Sequence, residues 1–468
     1  MSEQLKATNG TTTEYVWKNT SGNTLVEGTD YSIADGVTKF ININAGKIYC
    51  EMSNAAYPAF NGANVLKSTV IEAAGMPTHL IAEFTTINEA DSVGLSLAAA
   101  REGIAVYIDW AGDNNVTQYL LGETYKLFSA RTIAGANVKV YTYEASDAIT
   151  VFSMSGATLS SFDGSRLKDA INISVDRAGL SEIILPENSE VLAEMSLEGN
   201  NFTEFDLSKY PALRTVALSS NKLTSIDFSK APNLEEASAS YNQLTEVKFG
   251  NNNLWGLYLD NNNLSEIDFT GAPHISQLTL AKNKFSELNV DMLNELKVLT
   301  INDNYFTFKT LPLNKSNYIV YYYYNQAPID VECVNGKVDL SDQVEVDGTP
   351  TTYRWFIDVP VVNEETGELE GEELYIDTEY TLENGVTTFL KSQTDKVMCV
   401  MTNTKLPNVY IYTNLLYAVS GIEDVVADSD SNAQVEYYNL QGIKVENPEN
   451  GVYIRVQGST VTKVLIKR

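Results

Sequence analysis

The chain is poor in the residue types on which most chemistry depends. Histidine occurs twice in 468 residues, at His79 and His274. Two isolated imidazoles make neither a histidine-rich metal site nor a clustered general base. Cysteine occurs three times, at Cys50, Cys333 and Cys399. An odd, scattered set provides no disulfide framework and no zinc cluster, and it does not fix the compartment. No G-x-S-x-G, H-E-x-x-H or P-loop string is present, which removes the common hydrolase, zincin and nucleotide-binding readings. No apolar run approaches the ~18 residues that suggest a spanning helix. Basic residues are outnumbered, 32 against 61 acidic, for a formal net charge of −29. A field of that sign repels nucleic-acid phosphates and anionic membrane surfaces. The expectation is therefore a protein with no catalytic residue, no cofactor, no metal, no nucleic-acid partner and no membrane span.

One catalytic route survives these absences. With 61 acids, close carboxylate pairs are inevitable, and glycoside hydrolysis needs only two of them about 5–10 Å apart across a cleft. Glu194 with Glu198, or Glu236 with Asp260, are the pairs to consider. On an open surface such pairs simply repel one another in water, so the expectation stays non-enzymatic.

What is present is repetition. Apolar residues make up 44% of the chain, and its length suggests three or four domains. From Leu192 one pattern recurs, in which apolar, apolar, apolar, Asn and apolar positions keep fixed spacing. The copies are Leu192, Met195, Leu197, Asn200, Phe202; then Leu213, Val216, Leu218, Asn221, Leu223; then Leu234, Ala237, Ala239, Asn242, Leu244. Leu254, Leu257, Leu259, Asn262, Leu264 follow, then Ile275, Leu278, Leu280, Asn283, Phe285, and finally Leu296, Leu299, Ile301, Asn304, Phe306. The steps between Asn residues are 21, 21, 20, 21 and 21. The second halves repeat as well, as FDLSKYPAL, IDFSKAPNL and IDFTGAPHI. An upstream coil through Ile173, Val175, Leu180, Ile183 and Leu185 has Ala178 in the Asn place and reads as a cap.

Alternation around each L-x-L makes a short strand with one face inward, and stacking such strands makes a parallel sheet. The Asn ladder of Asn200, Asn221, Asn242, Asn262, Asn283 and Asn304 is placed to satisfy buried backbone groups. The pattern resembles the leucine-rich-repeat family. It implies a mainly β fold: a solenoid of 21-residue repeats with a concave parallel sheet, flanked by β-sandwich modules. Ala237 and Ala239 depart from the pattern and predict a thin or locally bent rung.

By parity, the residues on the outward face of the strands are candidates for ligand binding. They are Glu194, Ser196, Glu198, Ser219, Glu236, Ser238, Ser240, Tyr241, Tyr258, Asp260, Thr279, Thr300 and Asn302. The face reads as a shallow, mildly acidic groove with Tyr241 and Tyr258 as anchors, since exposed aromatics carry interface energy. The alternative is a solvated surface of small residues with no dedicated ligand. The tyrosine-rich run YIVYYYYNQAP, Tyr318 to Pro328, fits a strand that closes the open end of the solenoid; sugar stacking on Tyr321 to Tyr324 is the alternative there.

A second internal repeat lies outside the solenoid. GVTKFININAGKIYCEMSNAAYP, from Gly36, aligns without gaps to GVTTFLKSQTDKVMCVMTNTKLP, from Gly385. Phe40 matches Phe389, Cys50 matches Cys399, and the upstream YVW at Trp17 matches YRW at Trp355 with about eleven extra residues in the second copy. An early Trp with a Cys in a later strand resembles an immunoglobulin-like domain. The place of the usual partner Cys falls near Leu340, so Cys50 and Cys399 are expected to be buried thiols beside the Trp. The first copy has little room for initial strands, which implies an open edge or a native start upstream of Met1. IDWAGD, Ile108 to Asp113, resembles the turn of PKD-like modules, with Asp109 and Asp113 as turn formers rather than calcium ligands.

After an acidic linker, the pieces YNLQG and GVYI near the C-terminus resemble the C-terminal sorting domain of type IX exported proteins of Bacteroidetes-type bacteria. The expected domains are 1–75 immunoglobulin-like, 76–165 PKD-like, 166–325 leucine-rich repeats with caps, 326–420 immunoglobulin-like and 421–468 sorting-type. This order resembles surface leucine-rich-repeat proteins of that group, and Asp91-Ser92-Val93 matches their short O-glycosylation acceptor. The start MSEQLKATNG is polar, so an export signal is expected upstream of Met1 or removed. The resemblance implies a binding or adhesion protein outside a Gram-negative cell. Its expected partner is an extracellular protein or peptide on the concave face; a glycan partner, or a spacer without a specific ligand, is the alternative.

Overall fold

The computed structural model describes residues 13–34, 37–40, 46–54, 65–68, 70–73, 77, 79–250, 253–313, 315, 317–363, 368–420, 434–440, 442–457 and 460–466. Strands dominate it, and the helical pieces among the described residues are single 3-10 turns such as Leu207–Lys209, Phe228–Lys230 and Ser341–Gln343. The chain divides into two compact units, Met1–Phe202 with Lys209–Leu213, and Thr203–Ser208 with Arg214–Arg468.

In the first unit, Thr13–Asn19 pairs antiparallel with Gly46–Asn54, and Trp17 stands opposite Cys50. Trp17, Tyr31, Ile48 and Cys50 form one buried cluster. Phe40, on the hairpin Tyr31–Ala34 with Val37–Phe40, meets the Trp17 ring edge-on at 4.7 Å. Two further sheets follow. One carries Val116–Leu121, Ile104–Asp109, Asn137–Thr142, His79–Thr86 and Leu159–Asp163 in that order. In the other, Ala90–Ala99 pairs with Lys126–Thr132 on one side and Ile149–Ser155 on the other. Phe152 of the second sheet meets Phe162 of the first at 5.6 Å.

The far edge of Ile149–Ser155 is the start of the coils. It pairs parallel with Asn172–Val175, which pairs parallel with Glu194–Ser196. The hydrogen-bonded sheet thus runs through the boundary expected near residue 165. The physical reason is the exposed edge of a first coil, whose unpaired backbone would template aggregation. Ile149–Ser155, antiparallel to Ala90–Ala99 on one side and parallel to the coil strand on the other, covers it here.

In the second unit the coils present Thr215–Ala217, Glu236–Ser238, Gly256–Tyr258, Gln277–Thr279, Val298–Thr300 and Val320–Tyr322 as consecutive parallel strands. Leu257, Leu278 and Leu299 point inward with no exposed surface, and each such leucine contributes about 1.5–3 kcal/mol of burial. Ala237 and Ala239 are fully buried too, and their strand holds register with both neighbours. The rung with two alanines is therefore in line with the others. The return limbs carry a second stack, Phe228, Phe249 and Phe269, at centroid spacings of 6.2 and 6.1 Å.

After the coils the chain forms a second Trp–Cys cluster. Trp355 stands opposite Cys399 and meets Phe389 edge-on at 4.9 Å. Its indole donates to Thr387 Oγ1 at 3.0 Å, as Trp17 donates to Thr38 Oγ1 at 3.0 Å. The internal duplication read from the sequence is thus a repeat of contacts as well. The second copy has a further strand, Lys337–Asp339, against Val386–Phe389. A four-stranded antiparallel sheet ends the described chain, in the order Lys444–Val445, Val435–Tyr438, Gly451–Gln457, Thr460–Ile466. No described helix is long and apolar enough to cross a membrane.

Candidate functional site

Two buried devices hold the face of the coils in place. The first is the amide column. Asn262 Nδ2 donates to Ala239 O of the preceding coil and Leu259 O of its own, both at 3.0 Å, while its Oδ1 accepts from Leu244 N at 3.0 Å. Asn283 and Asn304 repeat this set one and two coils on. Asn242 makes it one coil earlier, and Asn221 donates to Leu218 O. In the first unit Asn200 bonds Val175 O, Leu197 O and Leu180 N in the same way. Asn200 and the amides from Asn242 to Asn304 staple adjacent coils by satisfying groups that are shut off from water.

The second device was not read from the sequence. The residue before each amide is left-handed: Ser220, Tyr241, Asn261, Lys282, Asp303 and Asn325 have φ between 55° and 58°. The N–H groups of the first five turn to the carbonyl of the next coil, as Tyr241 N does to Asp260 O at 2.8 Å. The six residues are of five types, and three of the six are the Asn and Asp that tolerate this conformation, with Tyr241 and Lys282 among the rest. What all six share is their fixed place before the amide.

The face these devices present in the second unit is a registered array. Ser238, Tyr258, Thr279, Thr300 and Tyr322 are direct cross-strand neighbours, and so are Glu236, Gly256, Gln277, Val298 and Val320. Glu236, Ser238, Thr279, Thr300 and Asn302 are half-buried. Tyr258 does not stand up from the sheet. A Cβ on Gly256 would lie 3.4 Å from its hydroxyl, which donates to Gln277 Oε1 at 3.0 Å. The missing side chain of Gly256 is the seat of this ring. Burial, then the nearby Glu236 carboxylate, pushes the Tyr258 hydroxyl above its ordinary value.

Three expected face residues are engaged in bonds of the coils themselves. Ser219 and Ser240 are only 9% and 8% exposed. Ser219 bonds Ser238, and Ser240 accepts from Asp260 N. Asp260 accepts from Thr279 Oγ1 and from Ala281 N, and burial raises its pKa. The period-2 alternation ends at the strand, and Ser219 and Ser240, each just before the left-handed residue of its coil, tuck under rather than out. Asp260 is therefore a turn carboxylate, bonded to Thr279 and Ala281. Glu194, Ser196 and Glu198 belong to the first unit. There Asn172 donates to Glu194 at 2.6 Å, and Asp176 accepts from Ser196 Oγ and Glu198 N at 2.7 and 2.8 Å.

The aromatic part of the face is larger than expected. Tyr241 is 61% exposed, and Tyr322 and Tyr324, from the closing run, are 49% and 43% exposed with rings 5.8 Å apart. Alternation turns Tyr321 and Tyr323 inward, half-buried, and leaves these two outward. Asp109 is buried and accepts from Gly112, Asp113 and Asn114 N–H groups, a turn former. Cys50 and Cys399 are buried, and burial pushes the Cys50 thiol up to about 11. Among the described residues no three acidic, His or Cys side chains converge to hold a metal. Asp91-Ser92-Val93 lies within the paired strand Ala90–Ala99, with the Asp91 and Ser92 side chains outside the described residues.

The coordinates thus define a β-solenoid of stacked coils. No protein-family profile matches the sequence, and no curated protein matches it. Solved structures that it resembles are leucine-rich-repeat domains. One is that of APL1B, at 20% identity over 34% of this chain and 49% of that one, TM-score 0.30. Another is that of APL1, at 21% identity over 36% and 52%, TM-score 0.28. The functional domain of InlJ from Listeria monocytogenes, which includes a cysteine ladder, is 16% identical over 55% and 68%, TM-score 0.24. The chain spans about half the length of the first two. Likenesses at these scores carry no argument about function, which rests on this chain's own geometry.

Proposed function

We propose that the chain is a non-enzymatic binding protein that acts outside the cell and recognises a protein or peptide through the strand face of its second unit. The observation that carries this is the registered row Ser238, Tyr258, Thr279, Thr300 and Tyr322. A row fixed by backbone pairing loses little freedom on binding, and that pre-organisation favours a broad, shallow partner. Tyr241 supports the reading: a bulky side chain is held exposed at φ 55°, a conformation its type adopts only at a cost. The outer-membrane or extracellular location of a Gram-negative cell, and export by a type IX route, rest on the tail pieces quoted above. The Tyr258 ring lying over Gly256, between Glu236 and Gln277, favours a glycan as second reading.

The test is a crosslinking pull-down on extracellular proteins with the full chain, run beside a glycan array. Tyr241→Asn with Tyr322→Ser is the variant. Asn already occupies the left-handed place at Asn261, so the fold is kept while two anchors go. Loss of one specific captured protein, with melting temperature unchanged, is the expected result. Capture that survives the variant moves the site elsewhere, array binding lost in the variant selects the glycan, and no ligand in either assay leaves a spacer.

A further inference from the structure

The first unit carries a cleft that the binding-face reading does not use. It is open, about 240 Å³ in volume, and lined by Arg101, Ala105, Tyr107, Tyr143 and Asp147. Alternation along Ile104–Asp109 sends Val106 and Ile108 into the core, fully buried. Tyr107 therefore points to the opposite face of the sheet, beside Tyr141 across the strand pair. It is nevertheless only 8% exposed, because the segment after Asn137–Thr142 returns beside it. A tight turn fixes that segment: Asp147 N donates to Glu144 O at 3.1 Å, and Glu144 N donates to Asp147 Oδ2 at 3.2 Å. The other carboxylate oxygen of Asp147 accepts from Arg101 Nη2 at 3.1 Å.

We propose that this cleft binds a neutral, single-ring polyol, a monosaccharide unit. Four features point the same way. Its volume is below the roughly 300–1,000 Å³ of drug-sized pockets, which suits one ring. Arg101 and Asp147 neutralise each other, so an anion meets Asp147, a cation meets Arg101, and neither gains net attraction. Tyr143, half-buried and lining the cleft, offers an apolar ring for the C–H side of a sugar. The phenol hydroxyls, the remaining guanidinium N–H groups and the carboxylate supply the mixed donors and acceptors that neighbouring hydroxyls require. A purely apolar ligand would strand those groups without water. Burial, with Tyr143 and Asp147 close by, keeps the Tyr107 hydroxyl protonated well above neutral pH, so its proton stays available to donate.

The test is saturation-transfer NMR on the full chain with glucose, galactose, mannose, fucose and N-acetylglucosamine, and with acetate and ethylammonium as charged probes. The expected result is saturable binding of at least one sugar, with Kd on the order of 1 mM, as befits a ligand of few atoms. Tyr143→Ala should weaken it at least about tenfold through loss of a stacking face. Tyr107→Phe, which keeps the ring and the packing, should weaken it by about three- to tenfold through loss of one hydrogen bond. No saturable sugar signal, a signal equal in both variants, or preference for either charged probe would overturn the proposal. The strand face plays no part in this test, so either reading can fail alone.

Discussion

An interior coil and the last coil of the solenoid fill the same slots with different chemistry. At Asn262 the inward positions are Leu254, Leu257 and Leu259, all without exposed surface. At Gln326 the corresponding positions are Tyr318, Tyr321 and Tyr323, and Tyr321 pairs in register with Leu299. The amide column survives the change. Gln326 Nε2 donates to Ile301 O and Tyr323 O at 3.0 and 2.8 Å, and its Oε1 accepts from Phe306 N at 3.1 Å. What differs is what lies beyond. An interior leucine has another coil to cover it. The last coil has none, so it uses side chains with apolar bodies and polar tips. Tyr321 and Tyr323 stack at 4.4 Å; their hydroxyls donate to Pro312 O and, at 2.6 Å, to Pro407 O. Burial pushes the Tyr318 hydroxyl up to about 12. The backbone requirement is thus constant along the stack, while the packing requirement changes at its end.

The sharpest way to break this comparison is to remove the amide from each coil. Asn262→Leu leaves the donor at Leu244 N without a partner in a dry interior and takes one of two amide donors from Ala239 O and from Leu259 O, which Asn242 and Asn283 still reach. The stranded donor costs about 1–3 kcal/mol and each bond lost at a carbonyl about 0.5–1.5 kcal/mol, so the sum is about 2–6 kcal/mol. The coil transition in urea, followed by circular dichroism, should move down accordingly. A shift below about 1 kcal/mol would mean that the column is ornamental.

Gln326→Leu strands Phe306 N and Tyr323 O, with Ile301 O still reached by Asn304, but at the end of the stack, where fraying can hand them to water. About 1–2 kcal/mol is expected, with fast hydrogen exchange confined to Phe306 and its neighbours. A loss as large as that of Asn262→Leu would show that the last coil is as enclosed as the middle.

The sequence made the interior coil legible and the last coil only half so. Leu and Asn at steps of 21 residues announce a core and a ladder, because both are demanded by every coil. Gln326 escaped notice since its amide sits 22 residues after Asn304 and carries one more methylene. The parity rule placed Tyr258 and Thr279 on the face correctly, since they lie in strands. It misplaced Ser219 and Ser240, which follow the strands and tuck under. Tyr322 and Tyr324 were seen as a closing run, and which half of it faces outward needed the register. The continuous sheet from Ile149–Ser155 into Asn172–Val175 had no sequence signal, since pairing between distant segments is not written in local alternation.

The smallest effect separates coils by the residue before the left-handed turn, Asp260 in the interior and Tyr324 at the end. Burial raises the Asp260 pKa above its ordinary 3.8, against the opposing pull of Thr279 and Ala281. The folded state therefore holds its proton to higher pH than the unfolded chain does. Between those two values the native form binds more protons, so the Asp260 contribution to stability falls as pH rises through that window and is constant above it. Asp260→Asn keeps an acceptor for Ala281 N and a partner for Thr279 without the buried charge. The variant should match or exceed the parent at neutral pH, by less than about 1 kcal/mol. Taking the difference in melting temperature between variant and parent cancels the other carboxylates. That difference should shrink as the pH is lowered toward 3.8. If it grows on acidification instead, the two hydrogen bonds outweigh desolvation and Asp260 is a stabilising anion. The interior slot would then be chosen for its charge, and the contrast with Tyr324 would be electrostatic rather than one of packing.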